Sequence, residues 1–214
     1  MNIEYIEKNT DFKVEYHEVI DSTSKRSKEI AEERIHTLLE SEILVDTFAN
    51  NSNQLLKNLD KDYKNVQVVI SENQIHGKGT NGRVWYSNNE DNILMTLIFY
   101  PQSSVQELHG ITYSIAQMIQ SAIQDLYNIS LDIKLPNDLM LKGKKVCGIL
   151  TESSIQNERV NYLLIGIGFN VNQVSFSNEL EEIATSLKLE FSDIELNRED
   201  IIVKIINRVK SLVK

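Results

Sequence analysis

Cysteine is almost missing from this sequence: Cys147 is alone among 214 residues. One thiol excludes an intrachain disulfide and any multi-cysteine metal site, and it fits a reducing, cytoplasmic setting. Positive charge is also short. The chain has 22 Lys and Arg against 31 Asp and Glu, a net charge of -9, which argues against a protein that tracks nucleic-acid phosphates with its whole surface. Any basic site must therefore be local. No apolar run approaches the roughly 20 residues of a membrane-spanning helix. Residues 1–14 carry charge throughout and lack the apolar centre of a signal peptide. The histidines, His17, His36, His76 and His109, have no metal-ligand spacing.

What remains is a chain with 41% apolar residues, enough to build one substantial core. Residues 12–20 alternate in the manner of a half-buried strand, and residues 21–24 (Asp-Ser-Thr-Ser) offer helix-capping side chains ahead of a helix over about 25–39. Residues 66–70 read as a strand. Residues 93–100 form an apolar run suited to a strand buried on both faces, and Pro101 ends it. Ser104 and Glu107 have capping-box spacing, and Val105, Leu108, Ile111, Ile115, Met118, Ala122 and Leu126 recur at helical intervals. Short runs at 131–135, 139–141, 145–152 and 160–169, parted by turn signals, predict further strands. A last helix is capped near Asn197, with Ile201, Ile205, Val209 and Leu212 as its stripe. This order implies an α+β fold, a mixed and mostly antiparallel sheet packed by helices.

Glycine is scarce, and its placement is informative. Of eight glycines, seven fall in three short segments: Gly77, Gly79 and Gly82; Gly143 and Gly148; Gly166 and Gly168. A chain sparing with glycine uses it where backbone bends sharply or approaches something closely. In the first segment, Lys78 and Arg83 stand among the glycines, so backbone N–H groups and cations could together hold a phosphate or carboxylate. It is not a P-loop, because no Gly-Lys-Ser/Thr ends it. Taken singly, each segment has a plain structural reading: a polar hairpin, a snorkelling Lys145 at the head of a strand, and a strand packed against a neighbour's backbone. Trp85, the sole tryptophan, and Cys147 are readable as core residues.

In this order the segments resemble the biotin–protein ligases of the biotin/lipoate ligase superfamily. Residues 74–85 resemble that family's Gln, glycine-arginine loop and nearby Trp. Residues 134–152 resemble its Lys-Trp-Pro-Asn-Asp turn followed by Lys-x-x-Gly-Ile-Leu-x-Glu. Residues 165–170 are similar to its Gly-Ile-Gly-Ile-Asn strand, residues 21–24 to its Ser-Thr-Asn motif, and residues 184–187 to a Thr-Ser-Leu stretch. The resemblance spans about residues 12–214 and implies a class II synthetase-like catalytic domain covering the chain. Neither a helix-turn-helix domain ahead of the first strand nor a C-terminal SH3-like barrel is expected.

The implied reaction joins biotin's carboxylate to the α-phosphate of ATP, with Mg²⁺, and passes the biotinyl group to a lysine of a biotin carboxyl carrier protein domain. Cations placed in advance at the phosphate are its main requirement. By resemblance, Lys145 is the principal catalytic lysine, with Arg83 and Lys78 beside the phosphates. Ser22, Thr23 and Gln74 would bond the ureido ring, and the backbones at Gly77, Gly148, Gly166 and Gly168 would shape the biotin pocket. Trp85, Asn137, Asp138 and Asn170 would serve ATP. Nucleic acid and membrane are not expected partners, and a homodimer is left open.

The sequence departs from the pattern at four points. Leu135 stands for Trp. Ser24 replaces Asn, as an alternative cap. Thr80 stands where bacterial members commonly carry Arg. Asn51-Ser52-Asn53 lies at the usual distance before Gln74, although the strand and helix around Ser22 match better. A lipoate–protein ligase, or a non-catalytic ligand-binding derivative, are the competing readings. Thr80 implies weak retention of the adenylate, so purified protein should release biotinyl-AMP readily in a filtration assay; retention over many minutes would overturn that reading of Thr80.

Overall fold

A computed structural model describes residues 1–47, 66–86, 91–101 and 104–211. The alternative motif Asn51-Ser52-Asn53 and Leu212 of the last helical stripe lie outside the described residues. Seven strands form one sheet: β1 (Lys13–Ile20), β2 (Val66–Gln74), β3 (Ile93–Phe99), β4 (Asp132–Lys134), β5 (Asp138–Leu141), β6 (Lys144–Gln156) and β7 (Arg159–Phe169). Their order is β1-β2-β3-β7-β6-β5-β4. Only β1 and β2 run parallel; every other pair is antiparallel. The mixed, mostly antiparallel α+β arrangement expected from the sequence is the one found.

The helices are α1 (Ile3–Thr10), α2 (Thr23–Thr47), α3 (Ile111–Tyr127), α4 (Leu187–Glu190) and α5 (Arg198–Val209). Helix α2 crosses one face of the sheet over β2, β3 and β7, while α3 packs on β4, β5 and β6 and against α5. Side chains alternate between faces along a strand, and the core divides accordingly. Val68, Ile70, Met95, Leu97, Cys147, Ile149, Ile165, Ile167 and Phe169 face the larger cluster with α3 and α5. Val69, Ile98, Tyr162 and Leu164 face Ile30 and Ala31 of α2 in a smaller one. Strand β3 is buried along its whole length, as a strand covered on both faces must be.

The structure differs from the sequence reading in several places: α2 runs on to Thr47, β2 to Gln74, and Leu187–Glu190 is helical. Residues 3–10 form a helix that was not foreseen; Asn2 Oδ1 accepts from the Tyr5 N–H at 3.0 Å, and Ile6 is fully buried. The helix expected from residue 105 is two elements. Ser104 and Glu107 do form a capping box, but on a 3₁₀ turn over Val105–Leu108, and Gly110 at φ 77° breaks the chain before α3 begins. Strands β6 and β7 extend beyond their apolar runs because Asn157 and Glu158, at φ 51° and 64°, make the two-residue turn whose twist suits a hairpin.

Glu72, two residues before the end of β2, is 2% exposed and lies 2.6 Å from Arg198 Nη1 of α5. The same guanidinium bonds the Asn92 carbonyl at 2.9 Å, and the Tyr16 hydroxyl donates to Glu72 at 3.1 Å. The amino terminus of Met1 also lies 3.7 Å from Glu72 Oε1, so removing Arg198 leaves the buried carboxylate with only this longer ion pair. Arg198→Ala should cost about 3–5 kcal/mol in urea unfolding, and Glu72→Gln combined with Arg198→Met should recover most of it. A loss below about 1 kcal/mol, the range of exposed pairs, would contradict this assignment.

Candidate active site

Beyond the first turn of α2, the sheet face that the helix covers changes character. Gly148 pairs with Gly168 across β6 and β7, and Gly166 pairs with Thr96 on β3 and Leu150 on β6. One transverse row therefore reads Leu94, Gly168, Gly148, Asp138, and its neighbour reads Thr96, Gly166, Leu150. Where the helix lies, the same face carries branched side chains. Past its end the glycines leave a cavity of about 970 Å³, whose lining includes Thr23, Gln74, Trp85, Lys145, Gly148 and Gly168.

The glycines are demanded by close approach. A Cβ at Gly168 would collide with the Trp85 indole, and one at Gly148 would lie 2.8 Å from that ring and 2.9 Å from Lys145 Nζ. At Gly166 the neighbour is Ser24 Oγ, at 3.2 Å. The space that the sequence reading reserved for a ligand is thus shared with Trp85, whose indole N–H is buried and has no partner among the described residues.

Lys145 reaches the cavity through a bulge. By plain alternation it would share the core face with Cys147 and Ile149. Instead, Leu139 pairs with Cys147 while Met140 pairs with Lys145, so β6 carries one extra residue, Val146. The bulge re-aims Lys145 to the face of Gly148 and Asp138. Its Nζ lies 2.6 Å from Asp138 Oδ1 and 5.3 Å from the centre of a Trp85 ring. Its backbone is fixed by two bonds to the 183–185 segment, Lys145 N–H to the Ile183 carbonyl at 2.8 Å and Thr185 N–H to the Lys145 carbonyl at 2.9 Å. Cys147, on the opposite face, is fully buried, and that burial pushes its thiol pKa well up and away from nucleophile chemistry.

The first glycine segment is a small hairpin. Trp85 N–H bonds the Gly77 carbonyl at 2.9 Å, Gly79 N–H bonds the Arg83 carbonyl at 2.7 Å, and Thr80–Gly82 form the tip. A Cβ at Gly77 would lie 2.5 Å from the Trp85 carbonyl oxygen. Gly77 therefore serves the hairpin and does not line the cavity. Arg83 folds back on Thr80, donating Nε to its carbonyl at 3.2 Å and Nη2 to its hydroxyl at 2.9 Å. Lys78 and Arg83 both line the cavity.

At the α2 end, Gln74 Oε1 accepts both the Thr23 N–H at 2.7 Å and the Thr23 hydroxyl at 3.1 Å. Thr23 lines the cavity, whereas Ser22 is 1% exposed, does not line it, and has a hydroxyl with no partner among the described residues. Ser24, expected as a cap, lies inside the first turn and lines the cavity. Asp21, one residue before Ser22, has its carboxyl held below the usual range by Lys25 and His76. Asn137 and Asn170 line the cavity too, and each commits one amide hydrogen to the fold: Asn137 Nδ2 to the Ile149 carbonyl at 2.8 Å, Asn170 Nδ2 to the Thr185 carbonyl at 3.0 Å. Asp138 stays behind Lys145, outside the lining.

Sequence reasoning missed Thr96 as the partner of Thr23 and Ser24 as a lining residue in contact with Thr96, and it missed the outer wall contributed by Phe176, Leu180, Ile183 and Ala184. The Thr-Ser-Leu stretch was the one signal for that wall; nothing in the local sequence marks the other residues.

The sequence profile of the Biotin/lipoate A/B protein ligase family matches residues 47–170. The chain belongs to this family. It is 34% identical over 174 residues to the bifunctional ligase/repressor BirA of Bacillus subtilis, covering 80% of this chain and 45% of that one. It is 32% identical over 119 residues to a biotin–acetyl-CoA-carboxylase ligase of Paracoccus denitrificans, covering 55% of this chain and 49% of that one. The chain thus spans about half the length of these curated relatives. In fold it is similar to the biotin protein ligase from Aquifex aeolicus solved with biotin and ATP, with a TM-score of 0.64 at 21% identity over 93% of this chain and 69% of that chain.

Trp85 is the only tryptophan, so its seat can be read directly. Gly168→Ala should displace the indole and shift its fluorescence emission to the red with easier quenching by iodide. Wild-type emission in the variant would show that the ring does not rest on Gly168.

Proposed function

We propose that this chain activates biotin with ATP to biotinyl-5'-AMP and transfers the biotinyl group to a lysine of a biotin carboxyl carrier protein domain. One observation carries the reading: the bulge at Val146 sets the Lys145 ammonium over the glycine row, in the same cavity as Thr23 and Gln74. A cation fixed between a ring-binding end and a phosphate-binding end is what adenylation of a carboxylate needs.

In the first step a carboxylate oxygen attacks the α-phosphorus, and the bond to the bridging oxygen breaks to release pyrophosphate. Lys145 neutralises charge between the carboxylate and the α-phosphate, and Arg83 and Lys78 neutralise the leaving phosphates once Arg83 turns from Thr80. In the second step a carrier lysine attacks the acyl carbon and AMP departs. Trp85 shields the anhydride from water. Thr23 and Gln74 hold the ureido ring; Ser22 acts behind them as the residue that starts α2. Asn137 and Asn170 each use one amide hydrogen in the fold and keep a side-chain oxygen, which suits a cation, and a second N–H, which suits a phosphate. Among the described residues no group of three or more His, Cys, Asp or Glu is arranged to hold a metal, so Mg²⁺ would enter with the triphosphate.

Residues 1–214 form a single catalytic domain in this reading. No helix among the described residues is long and apolar enough to cross a membrane, which is compatible with a cytoplasmic carrier.

The deciding measurement is ATP–pyrophosphate exchange with biotin and, separately, with lipoate. Exchange should require biotin and should fall roughly 100- to 1,000-fold in Lys145→Ala, the range for loss of one fixed charge-stabilising donor. Exchange driven by lipoate alone, or none with either acid, would overturn the proposal.

A further inference from the structure

The hydroxyls behind Thr23 form a chain whose direction can be worked out. A backbone N–H only donates, so the Gln74 atom 2.7 Å from Thr23 N is the amide oxygen. That oxygen only accepts, so the Thr23 hydroxyl, 3.1 Å from it, must donate to it. A hydroxyl has one hydrogen. The 2.9 Å contact between Thr96 and Thr23 therefore has Thr96 as donor. By the same count, the 3.5 Å contact between Ser24 and Thr96 has Ser24 as donor. The hydroxyl hydrogens run from Ser24 to Thr96 to Thr23 to Gln74, and no hydroxyl hydrogen is left for the cavity.

Thr23 and Ser24 line the cavity, so what they present to it are lone pairs. Thr96 is fully buried and stays out of the lining. We infer that Thr96 is a positioning residue that fixes the polarity of this end of the cavity, making Thr23 and Ser24 acceptors that select a ring bearing N–H donors. The identity of that ring rests on the biotin reading above. A ureido ring carries an N–H on each nitrogen; a dithiolane ring carries none. Thr96 stands opposite Gly166 in the register, and Ser24 Oγ is close enough to Gly166 that a side chain there would crowd it. The glycine thus makes room for the relay as well as for ligand.

Thr96→Val keeps the shape of the side chain and removes its hydroxyl, which frees the Ser24 hydrogen to point into the cavity. The KM for biotin should rise about tenfold, a change equivalent to one directed hydrogen bond. The kcat at saturating biotin and the KM for ATP should stay within about twofold of the wild type, and Thr96→Ser, which restores donor and acceptor, should return the biotin KM to within about twofold. An unchanged biotin KM in Thr96→Val, an equal loss for ATP, or failure of Thr96→Ser to rescue would each overturn the positioning role while leaving the biotin reading intact. Absence of biotin binding to the unaltered protein would overturn that reading and this inference with it.

Discussion

Helix α2 rests on a sheet face of Val69, Ile98 and Leu164, and where the helix begins that face turns to glycine. The arrangement of the molecule follows from this change. A sheet seven strands wide is held by its ladders and by the larger core on the opposite face, so its backbone stays in place even where one side is bare. Gly148, Gly166 and Gly168 can therefore forgo side chains without local collapse. Each missing Cβ admits a specific neighbour: the indole and ammonium at Gly148, the indole at Gly168, the Ser24 hydroxyl at Gly166. Loss of area on one face is offset by burial on the other, where Cys147, Ile149, Ile165, Ile167 and Phe169 are 2% exposed or less.

Two departures from regular strand geometry complete the site. The bulge at Val146 sends Lys145 to the cavity face while leaving Val146 and Cys147 in the core. The hairpin over residues 77–85 brings Trp85 back over the glycine row through backbone bonds that tolerate no side chain at Gly77. Both devices are local in sequence, yet each depends on a distant partner: the 183–185 segment grips the bulge from one side, and β7 supplies Gly168 from the other.

Much of this was legible in the residues. Periodicity located the strands and the principal helices, and glycine placement marked the three segments that converge. The misses have physical causes. A two-residue turn in left-handed conformation carried β6 and β7 through a polar stretch that alternation alone could not assign. Gly110 split a helical pattern that looked continuous. Lys145 was found by motif, but its direction was not, because a bulge has no compulsory residue signature. Ser22 and Thr23 were both expected at the ring by resemblance, whereas Thr23 and Ser24 line the cavity and Ser22 sits behind them. Thr96 was invisible, since a threonine in an apolar strand reads as a good strand former.

The two ends of the cavity are polarised by opposite means. Toward the loop and the bulge, charge is supplied by Lys145, Lys78 and Arg83, the local basic site that the acidic composition required. The residues that α2 contributes, Thr23 and Ser24, are uncharged, and their polarity is set by which atoms hold hydrogens. The backbone N–H of Thr23 is one of the donors that a helix start leaves without an intrahelical partner, and Gln74, from the end of β2, satisfies it. That single bond joins the helix to the strand and also orients the amide. Orientation of the amide then dictates the Thr23 hydroxyl, which dictates Thr96, which dictates Ser24. On the proposed reading, recognition at this end is a consequence of how the helix is capped, and a substitution that altered the cap would change which ligands fit before it changed the shape of the cavity.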